Sequence, residues 1–316
     1  MGELIRANEL CKYFKVGSNS YLHAVDKVSF SINEGSTLGV VGESGCGKST
    51  LGRVVTGLLP STGGELYYKD RNMLKAGKKE LKEYRKDLQI IFQDPYSSLN
   101  PRMSVSEIIA EPLENYRLYK SRRELLDRVY ELMDTVGLAE RFINAYPHEM
   151  DGGRRQRVGI ARALAVNPKF IVCDEPVSAL DVSIQAQILN LLMDMQEDLG
   201  LTYMFITHDL SVVKHISDEI MVMYLGQCVE KAPSKELFRN PVHPYTKALL
   251  SAIPLPKLGA SLEKNLIRGE VSNPIDPPAG CRFAKRCPYC TEKCVGRDIP
   301  LRETEPGHLV ACTLAE

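Results

Sequence analysis

The sequence has 316 residues, of which 44% are hydrophobic and 25% are charged, and its 40 Lys and Arg residues balance 40 Asp and Glu residues. A chain of this length can bury a large core, as one large domain or two. Zero net charge disfavours a duplex-binding protein, which carries a basic excess, so no nucleic-acid partner is expected. The N-terminus lacks the apolar core of a signal peptide, and no apolar run reaches the roughly 20 residues that span a bilayer, so we expect a cytosolic protein.

Residues 1–40 are predicted to form a β-rich layer. Val28, Phe30 and Ile32 alternate with polar residues, which is the period-2 pattern of a half-buried strand. Two adjacent aromatic residues, Tyr13 and Phe14, precede this strand. An aromatic ring here is suited to stack on a purine base, and an ordinary core position is the equal alternative.

Residues 42–50 read Gly-Glu-Ser-Gly-Cys-Gly-Lys-Ser-Thr, between an apolar strand and a helix-compatible stretch. This is the context that the G-x-x-x-x-G-K-[ST] pattern requires. The glycines allow backbone N–H groups to turn toward a phosphate, and the following helix adds the positive end of its dipole. Lys48 is expected to contact the β- and γ-phosphates, and the Ser49 hydroxyl to bind Mg²⁺. The sequence therefore predicts an ATP site with these ligands: Gly42, Ser44, Gly45, Cys46, Gly47, Lys48, Ser49 and Thr50.

Buried strands and helical segments alternate after this phosphate loop. Leu88 to Phe92 is predicted to be a buried strand that ends before Gln93, and residues 94–165 are predicted to form an inserted helical subdomain. Gly152 and Gly153 precede one of its helices. This alternation favours an α/β fold with a mostly parallel sheet and an N-terminal antiparallel β layer.

Acidic residues and a histidine follow two apolar strands. Asp174 comes after residues 170–173 and can hold Mg²⁺ through water, while Glu175 is placed to polarise an attacking water. His208 follows a second buried strand, 202–206. Because chemistry gathers at the carboxyl ends of parallel strands, these residues are predicted to belong to the catalytic site.

Cysteines concentrate near the C-terminus, where frequent prolines predict a break in regular structure. We expect a boundary near residue 250, with an ATPase domain at 1–250 and a small cysteine-rich extension at 251–316. The extension carries Cys281, Cys287, Cys290, Cys294 and Cys312. Four thiolates suit a four-iron cluster, zinc would also accept them, and reduced unliganded thiols are the remaining alternative.

The motifs, in this order, resemble the ATPase subunit of an ABC transporter over residues 1–250. The resemblance implies two such subunits head to tail, with each ATP between the phosphate loop of one and the signature motif of the other. It assigns Gln93 to Mg²⁺ and the membrane partner, His208 to sensing of the γ-phosphate, and Asp181 to a loop at the dimer interface. It places the adenine base on Phe14, with Tyr13 as the second candidate.

Within that family the chain resembles the oligopeptide and dipeptide importers at residues 93–103 and 240–246. Importers of nickel and of some oligosaccharides share these stretches. The resemblance implies a motor subunit on the cytoplasmic face of the membrane, bound to two permease subunits that work with an extracytoplasmic binding protein. It also implies a 4Fe–4S cluster on Cys281, Cys287, Cys294 and Cys312, with Cys290 as an alternative ligand.

Two functions from other classes compete with this interpretation. A soluble ABC protein acting on DNA or ribosomes usually has a long coiled-coil insertion or two ATPase halves, whereas this chain has one set of motifs. A redox sensor that uses ATP for regulation would make the cysteine-rich extension primary.

The signature motif departs from the family pattern Leu-Ser-Gly-Gly-Gln. It reads Met150-Asp151-Gly152-Gly153-Arg154, so an acceptor replaces the serine that donates to the γ-phosphate. A carboxylate about 4 Å from one phosphate charge costs roughly 4 kcal/mol at an effective dielectric near 20. Asp151 is also a good helix N-cap, and Arg154 or Arg155 offers a compensating charge. We therefore expect a heterodimer with unequal ATP sites.

Overall fold

The structure, a computed structural model, describes residues 2–252 and 273–315. Its strands are β1 (Glu3–Lys15), β2 (Tyr21–Asn33), β3 (Thr37–Val41), β4 (Gly63–Tyr68), β5 (Arg71–Asn72), β6 (Leu88–Ile91), β7 (Phe170–Asp174), β8 (Thr202–Thr207), β9 (Glu219–Tyr224), β10 (Gln227–Pro233), β11 (Arg302–Glu305) and β12 (His308–Val310). Its α-helices are α1 (Lys48–Val55), α2 (Lys78–Asp87), α3 (Pro95–Ser98), α4 (Val105–Asn115), α5 (Arg122–Thr135), α6 (Gly152–Leu164), α7 (Val182–Leu199), α8 (Leu210–Ile216), α9 (Ser234–Arg239) and α10 (Pro244–Ser251). In this part of the chain, no helix combines the length and the apolar character needed to cross a membrane.

The contacts divide the chain into two compact units. Unit 1 consists of residues 1–75 and 205–316, and unit 2 consists of residues 76–204. Strand β8 carries the chain from unit 2 back into unit 1. The predicted boundary at residue 250 divides the chain differently and stays a prediction, and residues 253–272 of the predicted extension lie outside the described residues.

Unit 1 contains two groups of paired strands. An antiparallel sheet has the order β2-β1-β4-β5, and residues 28, 30 and 32 of β2 are buried, as their alternation predicts. The second group has the order β11-β12-β10-β9-β3, in which β3 and β9 are parallel and the other pairs are antiparallel. Strand β3, which leads into the phosphate loop, is buried along its whole length.

The core of unit 1 joins the phosphate-loop strand to the C-terminal residues. Tyr224, Tyr245 and Phe283 are each at most 1% exposed and belong to one buried cluster with Val41. Their rings pack at centroid distances of 4.7 to 5.4 Å, in tilted and edge-to-face arrangements that aromatic pairs favour. Residues around Phe283 therefore fold as part of the unit that carries the phosphate loop.

Unit 2 combines a parallel strand pair, β6 and β7, with helices. Helices α4 and α5 begin with capping boxes, in which Ser104 pairs with Glu107 and Ser121 pairs with Glu124. Helix α6 buries Val158, among other apolar residues. The predicted combination of an α/β core, an antiparallel layer and a helical segment is confirmed.

Two C-terminal elements differ from the expectation of irregular structure. Pro244 begins helix α10 instead of ending order, because proline fits the first turn, where its missing N–H costs nothing. The Nδ1 atom of the preceding His243 accepts the N–H of Tyr245 at 3.1 Å and so caps this helix. Strands β11 and β12 extend the group that contains β10, although every residue of β11 is exposed.

Candidate ATP site and cysteine cluster

The phosphate loop connects β3 to α1 within unit 1. Gly42 and Gly47 have φ angles of +154° and +105°, and a Cβ atom on Gly47 would lie 1.9 Å from the Ala24 carbonyl oxygen. Both positions therefore require glycine. Of the other predicted ligands, Ser44 and Gly45 are exposed, Cys46 is buried, and Ser49 and Thr50 are half-buried.

The Lys48 side chain is buried under this loop. It is 4% exposed, and its Nζ atom donates to the carbonyl oxygens of Gly42 at 2.8 Å and Glu43 at 3.0 Å. A buried ammonium group held by loop carbonyls is a preformed positive charge for a polyanion. Lys48 and the loop glycines thus lie together, as the sequence predicts.

The two aromatic candidates for the adenine base are in different surroundings. The Tyr13 ring stacks on His23 at a centroid distance of 4.0 Å, and its hydroxyl donates to the Asp26 carboxylate. Burial and this hydrogen bond raise the pKa of Tyr13. Phe14 is half-buried, and the Lys12 Nζ atom lies 5.0 Å from its ring centroid. Both rings are thus half-buried, and each has one neighbour over its face: an imidazole for Tyr13 and an ammonium group for Phe14.

The acidic pair lies at the end of β7 in unit 2. Asp174 and Glu175 are 1% and 9% exposed. The Gln93 side-chain amide donates to a Glu175 carboxylate oxygen at 2.8 Å, so the structure brings together two predicted catalytic residues that are 82 positions apart. Glu175 has a φ angle of +47°, a strained value for a non-glycine residue that is typical of functional sites.

The signature residues begin helix α6. Asp151 is its N-cap and accepts the Arg154 N–H at 2.8 Å, while its second oxygen pairs with the Arg154 side chain at 2.9 Å. Gly152 and Gly153 allow close packing, since a Cβ atom would lie 3.0 Å from Leu180 and 2.7 Å from Ile184, respectively. Asp151 therefore caps helix α6, and the Arg154 side chain offsets its negative charge.

Asp181 and His208 are both exposed. Asp181 precedes helix α7 without a side-chain capping bond, and His208 follows β8 in unit 1. Their predicted roles at a dimer interface and at the γ-phosphate stay predictions.

Four cysteines line one small pocket in unit 1. They are Cys281, Cys287, Cys294 and Cys312, whereas Cys290 is exposed and does not line it. Burial raises the pKa of Cys281 to about 11. For Cys294 burial also acts to raise the pKa, but hydrogen bonds with Thr291 and Thr313 hold it below the ordinary value.

The spacing of these sulfurs bears on the ligand they suit. Among the described residues, no three of the thiol sulfurs lie within 4.8 Å of one another. Four thiolates on one tetrahedral zinc ion, with bonds of about 2.3 Å, would be about 3.8 Å apart. The described sulfurs would therefore have to move closer together to bind one zinc ion.

Sequence reasoning missed the residues that contact the loop from the C-terminal region. Arg286 pairs with Glu43, and the Tyr245 hydroxyl accepts the Glu43 N–H at 2.9 Å. Glu43 is 243 positions from Arg286. In the sequence, Arg286 is notable only for its position before Cys287, and this position does not indicate that Glu43 is its partner.

Comparisons with known proteins agree with the motifs. A family model described as ABC transporter matches residues 25–178, and one described as oligopeptide/dipeptide transporter, C-terminal region, matches residues 229–294. The dimeric, post-hydrolysis structure of the ATP-binding cassette MJ0796 bound to ADP and Pi matches with a TM-score of 0.67 and 32% identity, over 73% of this chain and 99% of that one. The fold and the phosphate loop thus define an ABC-type ATPase.

Full-length relatives narrow this class. The chain is 52% identical to the putative oligopeptide transport ATP-binding protein YkfD of Bacillus subtilis, over 98% of this chain and 95% of that protein. It is 50% identical to the dipeptide transport ATP-binding protein DppF of Haemophilus influenzae, over 98% of this chain and 96% of that protein. The chain belongs to the oligopeptide/dipeptide transporter family of ABC ATP-binding proteins, which confirms the predicted resemblance.

Proposed function

We propose that this chain is the ATP-hydrolysing motor subunit of a peptide importer. The observation that carries the proposal is the preformed phosphate loop with its buried Lys48, in a chain related over nearly its whole length to oligopeptide and dipeptide transport proteins. ATP binding would favour one state of the transporter and hydrolysis the other, so that the free energy of ATP drives transport.

The residues divide the work of hydrolysis. Lys48 contacts the β- and γ-phosphates, while Ser49, Gln93 and Asp174 would hold Mg²⁺. Bound Mg²⁺ would neutralise the charge that develops on the phosphate oxygens. Glu175 orients and polarises the attacking water, and its hydrogen bond with Gln93 fixes the direction of its carboxylate.

Nucleotide recognition is completed by other groups. Phe14 stacks on the adenine base in this proposal, and the stacking of Tyr13 on His23 supports Phe14 as the first candidate. His208 senses the γ-phosphate. We assign Asp181 and the signature residues 151–154 to the interface with a second ATPase subunit.

This chain docks on the cytoplasmic face of a permease of two transmembrane subunits, which receives its substrate from an extracytoplasmic binding protein. We assign the contact with the permease to the segment that follows Gln93. There Asp94 caps helix α3 by accepting the Tyr96 N–H at 2.8 Å, which presents a Tyr96 side chain that is 56% exposed. An exposed tyrosine on an ordered turn is suited to an interface.

The second ATPase subunit is a different chain in this proposal. Asp151 replaces the serine donor of the signature, and its carboxylate is committed to the helix cap and to Arg154. The ATP site that uses this signature is therefore impaired, and the site that uses Lys48 and Glu175 is the active one. In a heterodimer, a partner with the usual signature would complete the ATP site that is built on Lys48 and Glu175 of this chain.

We also propose a 4Fe–4S cluster on Cys281, Cys287, Cys294 and Cys312. The pocket that all four cysteines line supports this assignment, and the exposure of Cys290 argues against that residue as a ligand. The cluster would supply cross-links that order a segment with few large apolar residues.

Assembly of the complete transporter tests the function. ATP hydrolysis would be measured with the binding protein loaded with an oligopeptide, a dipeptide or nickel. Peptide-loaded protein should stimulate turnover, and a Glu175→Gln control should abolish the stimulation. Stimulation by nickel alone would overturn the substrate class, and no ATP hydrolysis in any assembly would overturn the motor role.

A further inference from the structure

An arginine beside one of the predicted cysteine ligands contacts the phosphate loop within unit 1. Arg286 precedes Cys287, and its side chain is 8% exposed. Its two terminal nitrogens donate to both carboxylate oxygens of Glu43, at 2.8 and 3.1 Å. Glu43 is the second residue of the phosphate loop. A bidentate guanidinium–carboxylate pair fixes orientation as well as distance, so this contact constrains the loop.

Glu43 is connected to Lys48 through its backbone. Its carbonyl oxygen accepts the Lys48 ammonium at 3.0 Å, and its N–H donates to the Tyr245 hydroxyl at 2.9 Å. Arg286 also donates to the Tyr224 hydroxyl at 3.2 Å. Glu43 is therefore held by the lysine that is assigned to phosphate, by the aromatic core and by residues 281–312, here called the cysteine-rich segment.

The charges of Glu43 and Arg286 also affect how the loop binds a triphosphate. Glu43 places a carboxylate in a loop whose ligand carries several negative charges, and its side chain is 24% exposed. The Arg286 guanidinium, which is always charged in proteins, donates to both oxygens of this carboxylate. Arg286 thus compensates an acidic group that would otherwise oppose a triphosphate.

The segment has a second anchor that does not involve Glu43. Arg282, which follows Cys281, donates to the Asp26 carboxylate and to the Leu225 carbonyl oxygen, and Phe283 is buried in the core. Loss of the Arg286 side chain alone therefore leaves the segment attached.

We propose that Arg286 is a positioning residue for ATP binding, which holds and neutralises Glu43 and so links the order of the cysteine-rich segment to the affinity of the phosphate loop. The part of this statement that concerns the cysteines rests on the proposed metal site. The role of Arg286 itself does not.

The test compares variants of the full-length chain by the Kd for ATP, from calorimetric titration, together with the thermal unfolding midpoint. Arg286→Gln should weaken ATP binding about tenfold, the effect of losing one charge-assisted contact. The matched control Lys285→Gln removes the same charge from the neighbouring exposed position and should stay within about twofold. A purely structural role would lower the unfolding midpoint and leave the Kd unchanged, which would overturn the proposal.

The double variant Glu43→Gln/Arg286→Gln separates charge from packing. Because it removes the uncompensated carboxylate, it should recover most of the affinity that Arg286→Gln loses. Arg286→Lys, which keeps the charge but not the two-pronged geometry, should fall between wild type and Arg286→Gln. A double variant as weak as Arg286→Gln would contradict the compensation argument.

A Cys287→Ser substitution tests the link to the segment. It should weaken ATP binding several-fold in the wild-type background and by less than about twofold in the Arg286→Gln background, since both changes break one connection. Equal effects in the two backgrounds would overturn the link. Absence of iron from anaerobically purified wild type, with the Arg286 effect intact, would overturn the metal site and leave the positioning role standing.

Discussion

The phosphate loop and the signature segment are both glycine motifs at the start of a helix, but different neighbours determine their geometry. Gly47 is fixed from within unit 1, where the Ala24 carbonyl leaves no space for a Cβ atom. Gly152 and Gly153 face side chains of unit 2, which can move, and Asp151 is 58% exposed. The phosphate loop is therefore fixed by backbone packing within unit 1, whereas the start of α6 is exposed and limited only by side chains, as suits the proposed interface with a second ATPase subunit.

The largest effects should come from the residues that act on ATP directly. Lys48→Ala removes the buried ammonium group and should weaken ATP binding on the order of 1,000-fold. Glu175→Gln should keep ATP bound but lower turnover on the order of 1,000-fold, because an amide cannot polarise the attacking water. Filter binding and phosphate release from the assembled transporter separate the two defects. Normal hydrolysis by Glu175→Gln would remove that residue from the proposed mechanism.

A second pair of substitutions tests whether the loop is fixed by packing or only by its backbone angles. Gly47→Ala adds a clash with a carbonyl oxygen to a φ angle of +105° and should cost about 3 kcal/mol or more of unfolding free energy. Gly45→Ala has a similar angle penalty at φ +77° but open space, so about 1 kcal/mol is expected. Chemical denaturation measures both. Equal losses would mean that backbone angles alone determine the loop.

The local parts of this molecule follow from the sequence, and the long-range parts do not. Glycine spacing between a strand and a helix identifies the phosphate loop because all the groups involved are neighbours in the chain. The contact between Glu43 and Arg286 joins residues 243 positions apart, and no local pattern encodes it. Strand β11 was missed because all four of its residues are exposed and show no alternation. Frequent prolines predict irregular structure here, but Pro244 fits the first turn of α10, where His243 is the N-cap.

A pH dependence tests how far the loop relies on the core around it. Burial lowers the pKa of His243 to about 4, from about 6.5 in an unfolded chain. Between these pH values His243 binds a proton in the unfolded state but not in the folded state, so the free energy of unfolding falls as the pH decreases. From pH 7 to pH 5 the loss is about 2 kcal/mol.

The change should be accompanied by weaker ATP binding, because helix α10 carries Tyr245, whose hydroxyl accepts the Glu43 N–H. His243→Asn keeps a capping side chain without a titrating group and should remove this part of the pH dependence. Denaturation of both proteins at pH 7 and pH 5 measures it. An identical loss in the variant would assign the dependence to other groups.

The smallest effect concerns the signature segment and separates the two functions of Asp151. In the assembled transporter, Glu175→Gln blocks the site built on this chain, so the residual hydrolysis reports the opposite site, which uses this chain's signature. Adding Asp151→Ser restores a donor and removes a charge, while serine remains a good N-cap for α6. We expect the residual rate to rise about tenfold and the unfolding free energy to change by less than about 0.5 kcal/mol. The gain is far below the bare electrostatic cost because Arg154 already pairs with Asp151 at 2.9 Å.

Asp151→Ala, which removes the charge without adding a donor, should recover only part of the rate. An unchanged residual rate, or equal losses when the equivalent glutamate is replaced in either subunit, would refute the asymmetry of the two sites.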